Sequence, residues 1–121
     1  MPKIGECVAI RDAYGSALAQ LGKENERIVA LEADVGGSTK SCIFGRQYPQ
    51  RYFNVGISEM NMTAMAAGFA SSGFIPFVNT FSAFLTSRAA DPIQSLAAYD
   101  RLNMKLAGTY CGLSASFVGA S

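Results

Sequence analysis

From Arg11 to Leu21, apolar residues recur at three- and four-residue intervals, at Tyr14, Ala17, Leu18 and Leu21, and Gly22 follows. This spacing lines one face of a helix, and the glycine reads as its stop signal. The pattern then changes. "RIVALEAD" is an apolar run bounded by charge, which predicts a short strand buried on both faces. It opens into "VGGSTKS", which reads as a flexible turn, and "RYFNVG" predicts a second short strand with its exit at Gly56. Helical periodicity returns from Ser58 to about Ala70. Ser58 is placed to cap that helix, Glu59 falls in its first turn, and Met60, Ala64, Ala67 and Gly68 are available for close packing. "FIPFVNT" predicts a third strand. "FSAFLTSRAADPIQSLAAY" reads as mostly helical, with a start or kink near Asp91 imposed by Pro92. "LNMKLAGTY" gives a fourth strand before the Gly- and Ser-rich ending "CGLSASFVGAS".

Helices alternate with short, apolar, unalternating strands. This order predicts an α/β domain: a parallel sheet with helices on both faces, joined by right-handed crossovers. In such folds ligands lie at the carboxyl ends of the strands. Three segments are expected to converge there: "EADVGGST", "VGISE" and "NTFSAF". No internal repeat or linker divides residues 1–121, so they are expected to form one domain. The sequence stops in a loop without a closing helix or strand, so that domain is expected to be incomplete at its C-terminus.

Composition narrows the function. The 121 residues are half hydrophobic with a formal net charge of +1, enough for one buried core. Lys and Arg are scattered, so no basic groove for nucleic acid is expected. The three cysteines, Cys7, Cys42 and Cys111, are far apart and form no CxxC pair, and they read as buried free thiols in a reducing compartment. The N-terminus lacks the apolar core of a secretion signal. Residues 62–87 carry no charge, but Gly68, Gly73, Pro76 and Asn79 break the run into pieces too short for a membrane span. The expected location is the cytoplasm. Histidine is absent, so Ser-His-Asp and Cys-His mechanisms cannot be completed within these residues.

Between Arg51 and Arg88 the only charged residue is Glu59. An acid in the first turn of a helix is favoured by the helix dipole, by roughly 0.3–1 kcal/mol when exposed. Its setting among methionine, phenylalanine and glycine gives a second reading: a desolvated carboxyl that can hold a proton and offer it to a ligand. Phe81 and Phe84 fit either core packing or a flat wall for an aromatic ligand. Asp34 ends a strand before two glycines, where turn chemistry alone favours it. "VGGST" matches neither a Walker A loop nor GxGxxG.

Taken together, "RDAYGSALAQLGKENERIVALEADVGGST", "FNVGISEMNMTAMAAGFASSGFIPFVNTFSAFLTSRAADPI" and "MKLAGTYCGLS" resemble the pyrimidine-binding domain of the transketolase family. The likeness runs from about Arg11 to the end, and leans to the C-terminal section of transketolases encoded as two chains. The resemblance implies the thiamine diphosphate-binding fold and that cofactor. It implies that Glu59 is the activating glutamate, bonded to N1′ of the aminopyrimidine and favouring the tautomer that takes the proton from thiazolium C2. By the same likeness Phe81 and Phe84 pack against the pyrimidine, and Asp34 lies near the thiazolium and the incoming sugar. Some transketolases continue the aromatic wall with a tyrosine where this sequence has Ser87. Arg88 and Asp91 match a charged pair of related enzymes, or form a helix-surface salt bridge.

The family holds the diphosphate and Mg²⁺ through a separate domain with a GDG motif, and no GDG occurs in this sequence. The resemblance therefore implies a partner, either a chain with the diphosphate-binding domain or further copies in a homo-oligomer, and inactivity alone. The implied reaction moves a two-carbon ketol unit between sugar phosphates. Its rivals are 1-deoxy-xylulose-5-phosphate synthase, the beta chain of a 2-oxo-acid dehydrogenase, and a non-catalytic interaction domain that keeps the fold. "SEMNM" favours transketolase over the synthase, which typically carries a Gln-His pair after the glutamate.

Overall fold

The computed structural model describes residues 4–113. In chain order the elements are α1 (Ile10–Glu24), β1 (Ile28–Glu32), α2 (Gly36–Thr39), α3 (Cys42–Gln47), β2 (Tyr52–Asn54), α4 (Glu59–Ser71), β3 (Ile75–Phe81), α5 (Ser82–Arg88), α6 (Ala90–Pro92) and β4 (Lys105–Thr109). The strands form one parallel sheet in the order β2-β1-β3-β4. Ala30 lies beside Tyr52 on one side and Phe77 on the other, and Phe77 lies beside Lys105.

β1 is buried along its whole length because it is covered on both faces. Successive strand residues point to opposite sides. Val29, Leu31 and Ala33 pack with Val78, with Met62 and Ala66 of α4, and with Leu85 and Ala89. Ile28 and Ala30 pack with Leu18 of α1 and Phe44 of α3, flanked by Ile75 and Phe77. Burying each large apolar side chain contributes roughly 1.5–3 kcal/mol. Losing either layer therefore removes an amount comparable with a domain's whole net stability of about 5–15 kcal/mol. The unalternating strands and the two helical layers are one fact.

Several local expectations are corrected. Gly22 does not stop α1, which runs on to Glu24. Gly15, Leu18, Ala19 and Gly22 form its buried stripe instead. A Cβ at Gly22 would stand 2.5 Å from the Phe44 ring, and one at Gly15 2.5 Å from the Lys40 carbonyl oxygen. These glycines let α1 lie close against α3 and the turn before it. "VGGSTKS" is ordered, not a flexible turn: the buried Glu32 carboxylate accepts hydrogen bonds from the amides of Val35 (2.6 Å) and Gly36 (2.8 Å). That satisfies the donors that open α2.

Ser58 stands at the N-cap of α4, but its side chain makes no capping hydrogen bond. The helix buries Met62, Thr63, Ala66 and Ala67, while Met60, Ala64 and Gly68 face outward. The helical segment after β3 breaks at Ala89, because Pro92 has no amide to donate to the Arg88 carbonyl. It continues beyond Pro92 as a π-helical turn, Ile93–Ala98. All three cysteines are free as expected, but Cys7 and Cys111 are exposed and Cys42 half-buried. Among the described residues no helix is long and apolar enough to cross a membrane.

Candidate functional site at the carboxyl ends of the strands

The expected convergence of three segments is visible in side-chain contacts. Beyond β1, Asp34 takes a left-handed conformation (φ 59°) that turns the chain away from the sheet. Its Oδ1 accepts a hydrogen bond from Nδ2 of Asn54, at the end of β2, at 3.2 Å. Asn54 in turn accepts from the amide of Gly56 (2.9 Å), where a left-handed turn leads into α4. Asp34 is exposed at this rim.

Glu59 is the first residue of α4 and is 4 % exposed. Its backbone carbonyl accepts from the Thr63 hydroxyl at 2.9 Å. The carboxylate is not the isolated charge that its sequence neighbours suggest. Nη1 of Arg88, the last residue of α5, lies 3.3 Å from its Oε1. Arg88 therefore pairs with Glu59 and not with Asp91, which is exposed and forms no ion pair among the described residues.

The third segment supplies an aromatic wall. Phe81 ends β3 and Phe84 lies one turn into α5, with ring centres 5.5 Å apart and planes 33° from parallel. Tyr110, just beyond β4, packs edge-on against Phe81 at 5.0 Å, an extension that sequence reasoning missed. Ser87 adds nothing to the wall: its hydroxyl donates to the Ala83 carbonyl of its own helix at 2.6 Å. The guanidinium of Arg88 lies over the Phe84 ring, 4.1 Å from its centre.

On the face of β3 toward α1, the strand end is polar and tied down. Asn79 of β3 is fully buried and donates to the carbonyls of Leu31 and Phe77, each at 2.9 Å, while its Oδ1 accepts from the Tyr14 hydroxyl. Burial pushes the Tyr14 hydroxyl well above the usual tyrosine range, so it acts as a fixed donor. A groove of about 730 Å³ adjoins the wall at Tyr110, between the start of α1 and β4, lined by Arg11, Tyr14, Phe77 and Tyr110 among others, but Glu59, Phe84 and Arg88 do not line it. The site is therefore recognised by its chemistry: a buried carboxyl and stacked rings meet at the strand ends where α/β folds bind ligands.

Comparison with known proteins shows the family. Residues 6–121 match the family model described as "Transketolase, pyrimidine binding domain". A putative transketolase C-terminal section from Methanocaldococcus jannaschii is 44 % identical over 112 residues, covering 93 % of this chain and 35 % of that protein. Human transketolase is 43 % identical over 120 residues, covering 98 % of this chain and 19 % of its own length. Among solved structures, a split-gene transketolase described as an "inactive beta4 tetramer" superposes with a TM-score of 0.77 at 45 % identity, covering 85 % of this chain and 34 % of that one. The transketolase of Campylobacter jejuni gives 0.78 at 26 % identity, covering 93 % and 18 %. The chain thus spans about a third of the length of the shorter relatives and about a fifth of the longer ones. It belongs to the transketolase family, as a pyrimidine-binding domain.

Proposed function

We propose that this chain is the pyrimidine-binding part of a thiamine diphosphate-dependent transketolase, and that Glu59 is its cofactor-activating acid. One observation carries the reading. A buried carboxyl and an aromatic face lie within reach of a single planar group, as the Arg88 guanidinium demonstrates by touching both. An aminopyrimidine presents a flat face for Phe84 and a ring nitrogen for Glu59. Bound thiamine diphosphate supplies the carbanion chemistry that a two-carbon transfer requires.

The protein's tasks are binding, orientation and proton placement. Glu59 holds a proton at its carboxyl against the pyrimidine nitrogen, and its burial keeps competing water away. Phe81 and Phe84 fix the plane of the ring. Asp34, at the rim, faces the side from which sugar phosphates approach. The diphosphate and Mg²⁺ fall to a diphosphate-binding domain outside these residues, on a partner chain or another part of the assembly. The relatives named above favour transketolase over the synthase and dehydrogenase readings.

A non-catalytic role draws on one specific observation, the "inactive beta4 tetramer" of the split-gene neighbour. The buried Glu59 carboxyl and the Phe84 ring, both within reach of Arg88, support the catalytic reading instead. The test is Glu59→Gln in the reconstituted enzyme. The near-isosteric change should preserve the fold and slow C2 proton exchange of bound cofactor by roughly 10²–10⁴-fold, the range for a positioned acid or base. Wild-type exchange and turnover in that variant would leave Glu59 as a helix-end charge only.

A further inference from the structure

Arg88 makes the two contacts that a ring bound between Phe84 and Glu59 must make. Its guanidinium carbon stands 4.1 Å from the centre of the Phe84 ring, and its Nη1 lies 3.3 Å from Oε1 of Glu59. A guanidinium is flat, delocalised and edged with N–H donors, so one side chain can meet an aromatic face and a carboxylate together. We propose that Arg88 is an internal rival of the aminopyrimidine ring: the two cannot hold Phe84 and Glu59 at once, and the ligand enters as Arg88 swings out. This inference rests on the reading of the site given above.

The surroundings suit such an exchange. The Arg88 side chain is 44 % exposed, against 4 % for Glu59, so it can leave toward solvent while its partner cannot. Asp91 lies three positions further on, beyond the break at Ala89, exposed and without an ion pair among the described residues, so an anionic group stands on the same segment outside the site. With Arg88 in place the buried Glu59 charge has a counter-charge. Without one, a buried carboxylate is strongly destabilising. The arginine thus keeps the carboxylate positioned until Glu59 takes up a proton and donates it to the ring nitrogen, in place of accepting from Arg88. Rivalry of this kind lowers the apparent affinity by the fraction of molecules in which the site is open.

The experiment measures thiamine diphosphate binding, with Mg²⁺, to the whole assembled protein as wild type, Arg88→Ala and Arg88→Lys. Removing the rival should tighten binding roughly tenfold in Arg88→Ala, chiefly through faster association. Arg88→Lys keeps the charge but cannot stack flat on Phe84, so it should fall between the two, and it carries the measurement if the alanine variant fails to fold. Equal or weaker binding in both variants overturns the proposal and leaves the cofactor reading standing. In ¹⁵N-arginine-labelled wild type, the Arg88 Nε–H resonance, identified by its loss in Arg88→Lys, should shift away from its ring-stacked position on saturation. A resonance that does not move at saturation also overturns it. If no assembled protein binds the cofactor, the reading of the site falls, and this proposal with it.

Discussion

Asn79 and Thr80 are neighbours on β3, both fully buried, on opposite faces of the sheet. Asn79 has every side-chain group engaged, whereas Oγ1 of Thr80 has no hydrogen-bond partner among the described residues. Their substitutions should therefore differ in sign. Tyr14→Phe strips the donor from a buried amide oxygen and should cost about 1–3 kcal/mol. Thr80→Val replaces an unpaired hydroxyl with a methyl of similar shape, and should be neutral or stabilising by up to about 1 kcal/mol. Thermal denaturation of the two variants checks both, and a large loss in Thr80→Val would show that its hydroxyl has a partner after all. Glu59 was legible in the sequence because a lone charge in an apolar run stands out at once. The pairings of Arg88 with Glu59 and of Tyr14 with Asn79 were not, because the partners lie 29 and 65 positions apart and no local pattern links them.

At the scale of elements, β1 and β3 were legible because they are buried on both faces and their sequences show it, whereas β2 and β4, at the sheet edges, are half-buried or exposed. The ends of helices were less so, because a glycine near a helix terminus has two physical explanations. Gly22 is a contact point for Phe44 and Tyr48, not a terminator. Alanine there gains about 1 kcal/mol of helix propensity but meets a ring at 2.5 Å, and overpacking of that kind typically costs 1–3 kcal/mol. Gly22→Ala should therefore lower the melting temperature. Gly68→Ala, inside α4 with open space around it, should raise it by about 0.5–1 kcal/mol of stability. The contrast separates contact from propensity, and equal shifts would remove the contact explanation for Gly22. Arg51 was equally invisible in the sequence. It donates to the carbonyls of Gly22 (2.9 Å), Asn25 and Ile28 and lies over the Tyr48 ring, tying the end of α1 to the start of β1. Arginine types do not announce which carbonyls they will find.

For the whole molecule, the covered fraction of its relatives governs expectation. The residues here supply one wall of the proposed site and contain no GDG motif. Purified alone, the chain should bind thiamine diphosphate with Mg²⁺ weakly or not at all by calorimetry, and should self-associate or capture a chain bearing a diphosphate-binding domain. Submicromolar binding by a strict monomer would refute that division of labour. The sheet order carries a different consequence, for synthesis. β1 is made before the other strands of this sheet, yet it lies inside the sheet, with Ile28 beside Ile75 of a strand made much later. Its most apolar stretch must wait, unpaired on one flank, until β3 has been made. Pairings so distant along the chain form slowly. The nascent chain therefore carries its greatest aggregation hazard in the interval between the first strand and the third, and a chaperone that shields a short apolar segment would act there.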